Sequence, residues 1–160
     1  MERPKTGRVF TQRAAIAALI LLTFANCGKQ KDAYVDPAFA TYVSDFENKI
    51  DVSTKGITIR FGKTEPPVIG ICFRMDESNE VVINAEWWDY MTNLGREQLL
   101  FHELGHCAMY LDHDDRRVVV DGKEIQGSIM NSYWFGQTAH YRRYREEYKE
   151  ALRTNTLINL

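Results

Sequence analysis

Residues 102–106 read His-Glu-Leu-Gly-His, and this pentapeptide constrains the chain more than any other stretch. Two histidines four apart stand one turn apart on the same face of an α-helix. Imidazoles so placed can share one tetrahedral zinc ion, and Glu103 projects where a carboxylate can take a proton from water that the metal activates. The chain has four histidines, and His102, His106 and His113 fall within twelve residues. The plainer alternative is a helix with surface histidines. The bare motif does arise by chance, but the residues after it weigh against that alternative.

A length of 160 residues suggests one domain, and 44% hydrophobic with 26% charged residues supports a packed core. Residues 1–26 have the pattern of a removable signal. Arg3, Lys5, Arg8 and Arg13 make a basic start, and Ala14 to Phe24 is an apolar run too short for an ordinary membrane span. The run ends at Phe24-Ala25-Asn26-Cys27. That end resembles the lipobox of bacterial lipoproteins, with Phe24 where leucine is usual and Asn26 where a small residue is usual. The resemblance implies lipidation at Cys27, a membrane anchor, and a place in the bacterial cell envelope outside the cytoplasm. A plain secretory signal cleaved nearby, or an uncleaved anchor, remains the alternative. Residues 27–36 read as a short tether.

Without residues 1–26, Lys+Arg falls from 20 to 16 and Asp+Glu from 22 to 21, a net charge of −5. The one basic cluster, Arg142-Arg143-Tyr144-Arg145, runs into Glu146, Glu147 and Glu150 and reads as a solvated helix face. No nucleic-acid surface is expected, since that needs clustered positive charge. With Cys27 lipidated, Cys72 and Cys107 remain. Export would permit a disulfide between them, the alternative being two small buried residues that never meet.

Pro37 suits the first turn of a helix capped by Asp36, and Phe39, Tyr42, Val43, Phe46 and Ile50 recur at helical spacing. Ile57, Ile59 and Phe61 alternate as a strand; Val68 to Phe73 and Glu80 to Asn84 read as two more, joined as antiparallel hairpins. Trp87 and Trp88 read as aromatic core. The motif helix is expected from about Leu94 to Leu111, with Thr92 or Asn93 as cap. Gly105 inside it signals tight packing or close substrate approach. Val118 to Lys123 reads as a hairpin turning at Asp121-Gly122, and Thr138 to Arg153 as a C-terminal helix.

From Val81 to Tyr133 the chain resembles the metzincin clan of zinc metallopeptidases: a strand, the HExxH helix, a third ligand after a turn, and Ser128-Ile129-Met130-Asn131. The resemblance implies that Met130 forms a floor beneath the metal. The wording also resembles small bacterial lipoproteins carrying HELGHC and a SIMN-type turn. The ligand spacing departs from the clan pattern: Met109 stands where the clan has glycine, Asp112 stands at the third-ligand position, and His113 lies one beyond. The chain must therefore turn within residues 109–112 for either to reach the metal. Asp112 would follow the snapalysin pattern. His113 is preferred, because imidazole suits a catalytic zinc and Asp112 can then be its supporting carboxylate. Tyr133 and His140 are assigned to core packing and to a surface or capping role.

The expectation is an α+β domain over residues 37–160: a small, mostly antiparallel sheet packed on the HExxH helix, flanked by N- and C-terminal helices. Its function would be zinc-dependent peptide-bond hydrolysis. Zn2+ is held by His102, His106 and His113, Glu103 is the general base, and an extended peptide pairs with an edge strand at Glu80 to Asn84. The partners are a peptide or protein substrate and, through Cys27, a membrane; the chain acts as a monomer. The alternatives are a non-enzymatic surface lipoprotein with a structural zinc, and a gluzincin-like site using Glu124.

Overall fold

The computed structural model describes residues 33–160 other than Glu77. The expected signal peptide, Cys27 and most of the tether lie outside the described residues. Among the described residues, no helix is long and apolar enough to cross a membrane. The domain is α+β, with helices around two small sheets.

The described end of the tether runs along the first strand. Ile59 donates to the Tyr34 carbonyl at 2.7 Å, and Asp36 N–H to the Ile59 carbonyl at 2.9 Å. Asp36 then caps the next element through its carboxylate, which accepts from Ala38 N–H at 3.0 Å. A 3-10 turn, Pro37–Phe39, leads into α1, Ala40–Ile50. Phe39, Val43, Phe46 and Ile50 are buried on one stripe, as their spacing predicts.

Strands β1 (Thr58–Gly62), β2 (Gly70–Phe73) and β3 (Glu80–Asn84) form one sheet in the order β1-β3-β2. β2 and β3 make the expected antiparallel hairpin, with Cys72 opposite Val81. β1 instead pairs with β3 in parallel, Ile59 opposite Val81. β3 is therefore the central strand, which corrects its expected role as a peptide-binding edge. Its near-continuous apolar run, Val81-Val82-Ile83, is fully buried, as a strand flanked on both sides requires. The edge strand beside the motif helix is β2.

A short helix, α2 (Ala85–Tyr90), follows β3 and is capped by the Asn84 side chain. It buries Trp88 edge-on against Phe39 but leaves Trp87 46% exposed, so only one tryptophan is core. Helix α3, Asn93–Met109, packs against β2 and α1. β4 (Arg117–Val120) and β5 (Lys123–Gln126) form the second sheet. Asp121 and Gly122 both take positive φ there, 51° and 75°, which the tight turn of a right-twisted hairpin demands. The C-terminal helix is broken at Tyr144 into α4 (Ala139–Arg143) and α5 (Arg145–Thr154).

The face of α5 departs from the solvated face expected of it. Arg145 and Lys149 reach Glu97 on α3, and Lys149 is only 2% exposed. Glu97 accepts from Tyr141 Oη at 3.0 Å, Arg145 Nε at 2.7 Å and Lys149 Nζ at 3.2 Å, while Asp45 on α1 accepts from Lys149 at 2.6 Å. This buried ion cluster ties α1, α3 and α5 together.

Candidate metal centre

Helix α3 begins at Thr92, whose hydroxyl accepts from Gly95 N–H at 3.2 Å. It ends at Tyr110, which takes the left-handed conformation at φ 59°. A tyrosine there costs roughly 1 kcal/mol. It lets Leu111 N–H close back on the Gly105 carbonyl at 3.1 Å. The forced turn thus falls inside the interval that the spacing required. Arg74 then pins the turn, donating to the carbonyls of His106 at 3.0 Å and Leu111 at 2.7 Å. Asp114 N–H reaches the Met130 carbonyl at 2.8 Å. These bonds swing His113 back over the helix.

His102, His106 and His113 form a group that could hold a metal ion, with one ring nitrogen from each lying within 4.8 Å of the others. The hydrogen bonds fix which nitrogen that is on the helix. His102 Nδ1 lies 2.9 Å from the Ile129 carbonyl, and His106 Nδ1 lies 2.6 Å from the Leu111 carbonyl. A carbonyl only accepts, so each Nδ1 carries the proton and each Nε2 presents a lone pair. The two Nε2 atoms are 3.1 Å apart. Two acceptors that close repel each other unless a cation lies between them. A tetrahedral ion with about 2.0–2.1 Å bonds to nitrogen needs its ligands at similar spacing. Burial reinforces the neutral form. It drives the His102 pKa down to about 4 and lowers that of His106. Backbone carbonyls holding Nδ1 are the usual outer support of a metal-binding imidazole.

Glu103 is 4% exposed. Burial pushes its pKa up to about 8, opposed only by a main-chain hydrogen bond from Cys72. Gly70 passes so close that a Cβ there would lie 2.9 Å from Glu103 Oε1. Beneath the helix, a Cβ on Gly105 would come within 2.4 Å of Met130 Sδ, so the glycine serves tight packing. Met130 is buried under the motif, and its N–H donates to Ser128 Oγ at 3.1 Å.

The three histidines and Glu103 line one cleft of ≈ 1120 Å³, bounded by β2 on one side and by Asn131 to Trp134 on the other. Three expectations are corrected here. Asp112 does not support His113: its side chain is 94% exposed and faces Arg74 at 3.7 Å. Tyr133 is not core, because it is 76% exposed on the cleft rim. Glu124 lies on β5 beside Arg117, at 3.5 Å, and not with the histidines. His140 stacks on Phe135 and meets Thr138 Oγ1 at 3.1 Å, outside the group.

Cys72 and Cys107 do meet, joined as a disulfide with Cα atoms 5.6 Å apart. Spacing reasoning left open whether they pair. It missed Gly70 and Arg74 altogether, whose roles depend on long-range contacts. It also missed Gln98, one turn before His102. Its Oε1 is the one buried side-chain polar atom without a partner among the described residues. Compared with known protein families, curated proteins and solved structures, the chain matches none.

Proposed function

We propose that the cleft is the active site of a zinc-dependent peptidase of metzincin type. The observation that carries this is a buried carboxylate lining the same cleft as two imidazoles whose lone pairs converge. A metal held only for structure needs the histidines but has no use for Glu103 at 4% exposure, with no cationic side chain beside it among the described residues. Zinc suits three nitrogen donors, and when bound it acidifies water and polarises a substrate carbonyl. Glu103 takes the water's proton and later returns it to the leaving amine. A carboxyl with a pKa lifted by burial is suited to move a proton both ways near neutral pH. An extended peptide would lie along β2, the strand that borders the cleft.

The disulfide supports export, since such bonds persist in oxidising compartments. Lipid anchoring through Cys27, a place in the bacterial cell envelope and a monomeric working state belong to the same proposal. Palmitate labelling that disappears in Cys27→Ser supports the anchor.

The test combines zinc content with digestion of a peptide library. Glu103→Gln should keep its zinc and lose about 10²–10⁴-fold in hydrolysis. His113→Ala should lose zinc to a chelator far more readily than Asp112→Ala. Wild type that binds zinc, melts well above its metal-free form and cleaves nothing would instead make the ion structural.

A further inference from the structure

β2 meets Glu103 at two positions on one side of the strand. Gly70 leaves no room for a Cβ, which would stand 2.9 Å from Oε1 and 3.0 Å from Cγ of the carboxylate side chain. Two residues on, Cys72 presents its main-chain N–H to the same carboxylate. Yet β2 is an edge strand of only four residues, paired to β3 alone. The ladder to β3 holds it along one edge only.

The disulfide is the covalent tie between β2 and α3, and Arg74, just past the strand, adds a hydrogen bond to the His106 carbonyl. Cys107 stands four residues after Glu103, hence on the same helix face one turn further along. Bonded there, Cys72 is held to the face of α3 that carries the carboxylate. The Cys107 end is fixed in turn. Its carbonyl accepts from Asn79 Nδ2 at 2.7 Å, and the side chain is 1% exposed.

We propose that the Cys72–Cys107 disulfide is a positioning device for Glu103. By fastening β2 to α3 one turn beyond the carboxylate, it keeps the Cys72 N–H and the bare Gly70 backbone against it, so that the base works at full rate only in the crosslinked chain. The catalytic half of this rests on the peptidase reading above; the structural half does not.

The experiment uses zinc-loaded protein and two variants, Cys72→Ser/Cys107→Ser and Gly70→Ala. Three quantities are read: hydrogen exchange of the amide at position 72, zinc per chain, and kcat and KM on a library-derived peptide. The double variant should exchange that amide at least about 10-fold faster. Its kcat should fall by up to about 100-fold with zinc and KM unchanged, as expected when a reacting group shifts by an ångström. Gly70→Ala keeps the crosslink but displaces the carboxylate, and should lower kcat in the same way. An unchanged amide or an unchanged kcat in the double variant overturns the proposal. If that variant does not fold, wild-type kcat in Gly70→Ala overturns it. A crosslinked wild type with a protected amide and no turnover sinks the peptidase reading instead, and the exchange rates still decide whether the crosslink holds the carboxylate.

Discussion

On one face of α3, Glu97 is buried among Tyr141, Arg145 and Lys149; on another, buried His102 and Glu103 and half-buried His106 line the cleft. Glu97 and Glu103 sit on one helix and are equally buried, each 4% exposed. Their partners differ completely. Glu97 has a phenol, a guanidinium and an ammonium group, and those cations also reach Asp45. The cleft set has carbonyls behind each imidazole and unshared lone pairs in front. A buried charge whose partners are complete fixes a fold. A set of converging imidazole lone pairs is one that could hold a metal ion.

The first way to break this contrast is Glu97→Ala. It leaves Lys149 and Arg145 without their buried counter-charge, and losing one partner of such a cluster costs about 3–5 kcal/mol. Urea unfolding should show that loss, while zinc affinity of the folded fraction stays within a few-fold of wild type. A variant that keeps its stability but releases zinc would mean the two faces are one unit.

The same contrast explains what was legible in the sequence. His102, Glu103 and His106 could be read because their relation is local, fixed by the helical repeat. Asp121-Gly122 and the stripe from Phe39 to Ile50 were legible for the same reason, each being decided within a few residues. The Glu97 cluster was not. Its members lie 44 to 52 residues from Glu97 on the C-terminal helices, and in sequence Arg145 looks like any solvated charge beside glutamates. The β1–β3 pairing was hidden too, since a parallel pair skips over β2. His113 could be favoured only because the turn had to fall before it. That Tyr110 would accept the left-handed conformation depends on Arg74, a contact from β2's far end that no spacing rule supplies.

The second prediction concerns metal-free protein, where the cleft set should behave as an incomplete site. Glu103 has its pKa raised from 4.5 to about 8, so the fold retains a proton that the unfolded chain releases above pH 4.5. Its contribution therefore falls as pH rises from 4.5 towards 8. His102 has its pKa lowered from 6.5 to about 4, so its contribution falls in the opposite direction, as pH drops below 6.5. Glu103→Gln removes the first slope and leaves the second. Melts in chelator should show the variant gaining on wild type as pH rises from 5 to 7, by roughly 1.4 kcal/mol per unit at most. Zinc should narrow the gap, because a nearby cation favours the charged carboxylate. A gap independent of pH would show that the carboxylate is not desolvated, and the contrast with Glu97 would lose its meaning.

The smallest effect is expected at Gly105, which lies within the histidine motif on α3 and packs on Met130. Replacing it with alanine favours the helix by roughly 1 kcal/mol. Against that, the new Cβ would stand 2.4 Å from Met130 Sδ and 3.1 Å from its Cε. Met130 is only 2% exposed, so its thioether has little space to retreat into. Overpacking of this kind costs about 1–3 kcal/mol, leaving a net loss of at most about 2 kcal/mol after the helical gain. The displacement should pass to the metal site rather than to the ion cluster. Ile129, next to Met130, supplies the carbonyl that orients His102. Gly105→Ala should therefore weaken zinc binding by several-fold, while the amides around Glu97 keep their exchange protection. If protection is lost at Glu97 and zinc affinity is unchanged, strain runs along the helix to the cluster, and the two faces are not independent.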